Sequence, residues 1–117
     1  MGFSFEIKKE EAIIIISLKG NLMNKVQAQP MIDDVEHYSN EGVKKLIISL
    51  ADMEYMNSTG LSILINMFTQ ARNKGGEVII TDIPKKINQL LVITKLNSIF
   101  NIEETVEAAK KILIELR

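Results

Sequence analysis

The chain has 117 residues, 46% of them hydrophobic, with 14 basic and 15 acidic side chains and a formal net charge of -1. That length suits one domain, residues 1–117, with enough apolar material for a core that needs no staples. The absence of cysteine excludes disulfides and thiol chemistry, and the balanced charge excludes a general attraction to nucleic-acid phosphates.

The opening residues Met1–Phe5 lack the basic start of a signal peptide, and the apolar run Ala12–Ile16 is too short to cross a bilayer. A soluble, cytoplasmic protein without membrane insertion is expected. Phe3, Phe5 and Ile7 alternate with polar residues, which predicts a strand. Glu10–Glu11 then turns the chain into the β-branched run Ile13–Ile16, a second strand joined to the first as a hairpin.

Gly20–Asn21 breaks this pattern, and a helix is predicted from near Asn24 to Asn40, with Val26, Ile32, Val35 and Tyr38 inward. Pro30 falls inside it, where it should kink the helix or displace its start. Gly42 ends the helix, and VKKLIISL reads as a third strand whose apolar density suits cover on both faces. Asp52 and Glu54 fall in the loop that follows. A second helix carries the stripe Leu61, Leu64, Ile65, Phe68 and Ala71, and stops at Asn73–Gly76. EVIITDI is the next strand, and Pro84 opens a helix to about Ile93 with Ile87, Leu90 and Leu91 inward.

A short strand is predicted near Ile99–Ile102, then a final helix. Glu103 and Glu104 favour the positive end of that helix, and Val106, Ala109, Ile112, Leu113 and Leu116 form its apolar face. The order is therefore β-β-α-β-α-β-α-β-α: an α/β fold with a mixed, mostly parallel sheet covered by helices.

The stretch MNSTGL, residues 56–61, concentrates the candidate chemistry. Asn57, Ser58, Thr59 and Gly60 follow the third strand and open a helix, where ligands of open α/β sheets collect and unpaired N–H groups favour an anion. A hydroxyl there is placed for phosphorylation. The plainer reading is helix capping, which Asn, Ser and Thr all perform. His37 has no second histidine or cysteine with which to build a metal site, and Asp33–Asp34 reads as a solvated face. Asp52 and Glu54 are weak evidence for a cation, although Asp82 could join them as an acidic rim. Met23 and Met56 are better placed for a protein interface than Met31, Met53 and Met67, which suit core gaps.

LADMEYMNSTGLSILINMF resembles the signature of STAS domains, particularly small bacterial anti-sigma factor antagonists, and IIISLKGNL resembles the family's second strand and its Gly-Xaa-Leu turn. The order of elements matches the family nearly end to end. The resemblance implies a protein that binds an anti-sigma factor with serine kinase activity and is released on phosphorylation of Ser58. A separate phosphatase then resets it. Partner-binding residues would be Met23, Asn24, Met56, Asn57, Ser58, Thr59, Gly60 and Leu61.

This sequence departs from the pattern where Asn57 replaces the family's Asp and Met23 replaces a common acidic residue, which removes charge beside the acceptor. The alternative is a non-switching STAS scaffold or subunit of a transporter or signalling complex. No cofactor is implied. An enzyme is not expected, because no base stands beside Ser58 in the sequence and no Walker-type loop is present.

Overall fold

The computed structural model describes residues 2–115. Its elements are β1 (Phe3–Glu10), β2 (Ile13–Leu22), α1 (Lys25–Asn40), β3 (Lys45–Met56), α2 (Ser58–Asn73), β4 (Glu77–Thr81), α3 (Lys85–Ile93), a 3-10 turn (Leu96–Ser98), β5 (Asn101–Glu103) and α4 (Val106–Glu115). The predicted order is the observed one. The five strands lie in the sheet in chain order, β1 antiparallel to β2 and the rest parallel.

That topology follows from the connections. A turn at Glu11–Ala12 folds β1 back on β2, and Glu11 takes a left-handed conformation there (φ 56°). Each later strand is reached through a helix, and right-handed crossovers between successive neighbours put those helices on one face. Ile14, Ile16 and Leu18 of β2, Leu46, Ile48 and Leu50 of β3, and Val78 and Ile80 of β4 pack there against α1, α2 and α3. Ile13, Ile15, Ile47 and Ile79 point the other way and meet Ala109 and Leu113 of α4. Two-sided cover explains why the central strands are continuous apolar runs.

β1 is different: Phe3, Phe5 and Ile7 pack on the three-helix face, while Glu6 and Lys8 are exposed on the other. Lys110 of α4 reaches across to Glu10 at 2.7 Å. That hydrogen bond lowers the Glu10 carboxyl below its ordinary pKa and raises the Lys110 ammonium above its own. Lys45 donates to the Leu113 carbonyl at 2.7 Å and so serves an open acceptor near the end of α4.

Several boundaries differ from expectation. Pro30 lies inside an unbroken α1. The bond its missing N–H cannot make would go to Val26, and both residues face solvent, where water can serve that carbonyl. Val26 is 84% exposed and not inward; Ala28 and Met31 are buried instead, in phase with Ile32, Val35 and Tyr38. β3 continues through the predicted loop to Met56, because Met53 and Met56 are buried and Asp52, Met53, Tyr55 and Met56 pair with β2 across two register shifts. β4 stops at Thr81, where Asp82 turns left-handed (φ 55°). Glu103 belongs to β5, and α4 starts at Val106, with Ile112 on its outer side. Leu116 and Arg117 lie outside the described residues.

Candidate functional site

β2 and β3 end side by side, with Leu22 opposite Met56, so α1 and α2 start from the same edge of the sheet. Each helix is capped by an asparagine. Asn24 accepts from the Gln27 N–H at 2.9 Å, while the Gln27 side chain accepts from the Asn24 N–H at 3.2 Å and the Met23 N–H at 2.8 Å. This is a reciprocal capping box, closed within four residues of chain.

Asn57 is connected over a longer range. Its Oδ1 accepts from the Gly60 N–H at 2.9 Å, and its Nδ2 donates to the Met23 carbonyl at 3.0 Å. The backbone N–H of Asn57 also donates to the Leu22 carbonyl at 3.4 Å. One amide therefore caps α2 and ties it to the loop between β2 and α1. Both functions need the amide, since a carboxylate could cap but could not donate to Met23.

Gly60 makes that proximity possible. A Cβ at this position would collide with the Leu22 carbonyl oxygen and press on the Met56 Cβ at 3.0 Å. The first turn of α2 thus sits directly on the end of β2. Met56 is fully buried and Leu61 is 4% exposed. Of the expected partner-binding residues, Met56, Gly60 and Leu61 are therefore buried, beneath the exposed Ser58 and Thr59.

Ser58 and Thr59 occupy the first two helical positions and are exposed. Asn57 serves as the cap, so neither hydroxyl is needed for that task. Among the described residues, the Ser58 hydroxyl makes no hydrogen bond. The first turns of α1 and α2 contain no acidic residue, so the partial positive charge at both helix starts is unopposed within the helices.

At the same end of the sheet Met23 (38%), Tyr55 (51%) and Val26 are exposed. The sequence had suggested Met23 but missed the other two. No local pattern gave Tyr55, because two register irregularities break the alternation of β3 after Leu50; for Val26 the signal was a helical phase set by Ala28 and Met31. Asn24 is also exposed, and Asn57 is half-buried between the two loops.

The other candidates separate from this edge. His37 is an exposed residue in the last turn of α1, 3.2 Å from Glu41. Asp33 and Asp34 are exposed on the same helix. Asp82 accepts hydrogen bonds from Thr81 (2.7 Å) and Ser49 (3.3 Å), two otherwise buried hydroxyls. Asp52 lies opposite Lys19 of β2, on the other side of β3, so these aspartates serve different neighbours. Among the described residues no group of three or more His, Asp or Glu could hold a metal ion, and no helix is long and apolar enough to cross a membrane.

The STAS domain family model matches residues 4–109. The anti-sigma-B factor antagonist of Bacillus subtilis is 26% identical over 102 residues, covering 87% of this chain and 92% of the relative. Among solved structures, an anti-sigma factor antagonist from Mycobacterium paratuberculosis superposes with a TM-score of 0.82 at 17% identity, covering 97% of this chain and 96% of that one. The Bacillus cell fate determinant SpoIIAA, solved in its phosphorylated form, gives 0.73 at 14% identity, covering 93% of this chain and 99% of its own.

Proposed function

We propose that this chain, which belongs to the STAS domain family, is a cytoplasmic anti-sigma factor antagonist switched at Ser58. It is a regulatory binding protein and the substrate of a kinase, not an enzyme. The observation that carries this reading is the division of labour at the start of α2: Asn57 caps the helix, and the adjacent Ser58 hydroxyl is exposed and, among the described residues, unbonded.

In the unphosphorylated state, Met23, Val26 and Tyr55 supply apolar contact area around Asn24, Asn57, Ser58 and Thr59. The partner is an anti-sigma factor with serine kinase activity. It transfers the γ-phosphoryl group of ATP to the Ser58 oxygen, releasing ADP and the hydroxyl proton. The product carries about -1.5 to -2 charges at neutral pH. Within the free chain, the unopposed helix N-terminus tolerates that charge. Beneath a partner, the same group would be stripped of water beside apolar surface, and each 1.4 kcal/mol of penalty weakens binding about tenfold. Release then needs no refolding of the antagonist. A phosphatase restores the hydroxyl.

Asn57 and Met23 favour a second reading, a STAS scaffold or subunit that does not switch, because they leave the acceptor's surroundings uncharged. A quantitative pull-down from the native organism's lysate separates the two, with the wild-type chain and Ser58→Glu as baits. The switch predicts that an ATP-binding kinase is recovered with the wild type and lost with the variant. Equal recovery of the same partner by both baits would move the scaffold reading into first place.

A further inference from the structure

We propose that the chain self-associates through the outer edge of β1, as a two-fold homodimer whose β1 strands pair antiparallel about Ile7. β1 is the terminal strand of the sheet and uses one edge along its whole length to pair with β2. No strand among the described residues lies on its other edge, which is a template for one more.

The side chains of β1 decide the occupant and the register. A two-fold axis normal to the sheet keeps each residue on its own face, so only registers that pair residues of like parity are possible. Centring on Glu6 sets Glu6 against Glu6, and centring on Lys8 sets Lys8 against Lys8 and Glu6 against Glu10. Like charges directly opposite are destabilising. Centring on Phe5 pairs only residues 3–7 and leaves Lys8 unused. Centring on Ile7 pairs residues 4–10, with Glu6 opposite Lys8 on both sides of the axis.

The other face fits the same register. Phe5, Ile7, Asp34, His37, Tyr38 and Glu41 line a cleft between β1 and α1. Lys9 lies on that side of the strand by alternation, and in this register it stands opposite Phe5 of the second copy, within reach of the cleft's two carboxylates. Charges on an edge strand commonly discourage open-ended pairing; here their order opposes the registers centred on Glu6 and Lys8 and favours the one centred on Ile7. The axis crosses the middle of β1, so the two Ser58 edges point to opposite ends of the dimer and both stay accessible. The proposal does not depend on the switch.

Charge exchange tests it, with mass measured by sedimentation equilibrium and folding checked by circular dichroism. The wild type should form dimers reversibly, more weakly at high salt, where exposed ion pairs are screened. Glu6→Lys sets a second lysine against Lys8 across the axis, and Lys8→Glu sets a second glutamate against Glu6, so each should weaken self-association about tenfold or more. An equimolar mixture of the two variants should form heterodimers, because both cross-strand pairs become opposite or neutralising in sign only when one copy of each variant is present. The double variant Glu6→Lys/Lys8→Glu should dimerise like the wild type. A wild type that stays monomeric up to millimolar concentration would overturn the proposal, as would dimers indifferent to either single change or a mixture that fails to recover.

Discussion

α1 and α2 leave the same edge of the sheet behind the same type of residue, yet Asn24 and Asn57 are used differently. The bonds around Asn24 close within its own turn, through Gln27. Those of Asn57 divide between its own helix and a loop 34 residues away in sequence. The first helix start is a local structure that a short peptide could form in part. The second exists only once β2 and β3 have paired, and it is the one that presents Ser58. A candidate phosphoacceptor placed on a tertiary junction is held in position by the whole fold.

The most disruptive way to break this contrast is Gly60→Ala. Nothing comparable to Gly60 stands at the start of α1, and an added Cβ here meets a backbone carbonyl that cannot rotate away. Overpacking of this kind costs about 1–3 kcal/mol, so the urea midpoint should fall clearly, with the slope of the transition unchanged. A neutral result would mean that α2 does not sit on the end of β2 as described.

The next effect separates the two caps. Asn57→Ala removes a partner from both the Gly60 N–H and the Met23 carbonyl, and should cost about 1–2 kcal/mol. Asn24→Ala leaves the Gln27 side chain bonded to two backbone N–H groups and should cost about 1 kcal/mol or less. Asn57→Asp sharpens the test, because it keeps the cap and deletes only the clamp. Amide exchange at residues 22–24 should then accelerate in Asn57→Asp while the first turn of α2 keeps its protection. Equal exchange in wild type and variant would deny the clamp.

The smallest effect concerns the other face. Neither asparagine carries a charge, whereas the link between α4 and the hairpin is ionic. The lowered pKa of Glu10 makes its contribution present above the ordinary glutamate range and lost as pH falls through the shifted value. The raised pKa of Lys110 makes its contribution present below the ordinary lysine range and lost as pH rises through the shifted value. The stability difference between wild type and Lys110→Met should therefore be small and flat between those ranges, and vanish at both extremes. Both side chains keep partial access to solvent, so added salt should shrink it further. A difference that grows toward either extreme would contradict the pairing.

Much of this was legible in the chain. Phe3, Phe5 and Ile7 alternate as an edge strand must, and the run from Ile13 to Ile16 has the density of a strand covered on both faces. Asn57–Gly60 read as a helix start with spare hydroxyls. The errors have physical causes. Val26 is a large apolar residue and so invites burial, but the buried stripe is set by spacing and runs through the smaller Ala28. The polar residues Asp52 and Glu54 disguise the end of β3, whose pairing with β2 continues after two irregularities that no local pattern encodes. Met56 and Leu61 flank an exposed motif, which suggests a place at the surface, although both are buried, Met56 after the irregular end of β3 and Leu61 in phase with Leu64 and Phe68.

By itself, the sequence determined the order of elements, the two-sided burial of the central strands and the position of the candidate acceptor. These depend on periodicity and on residue types that act locally. Only the tertiary structure decided which residue caps α2, what Gly60 is for, and which side chains stay exposed at that end of the sheet. Those properties arise where the ends of β2 and β3 meet, between segments far apart in the chain, and a hydrogen bond such as that from Asn57 to Met23 has no counterpart in local pattern.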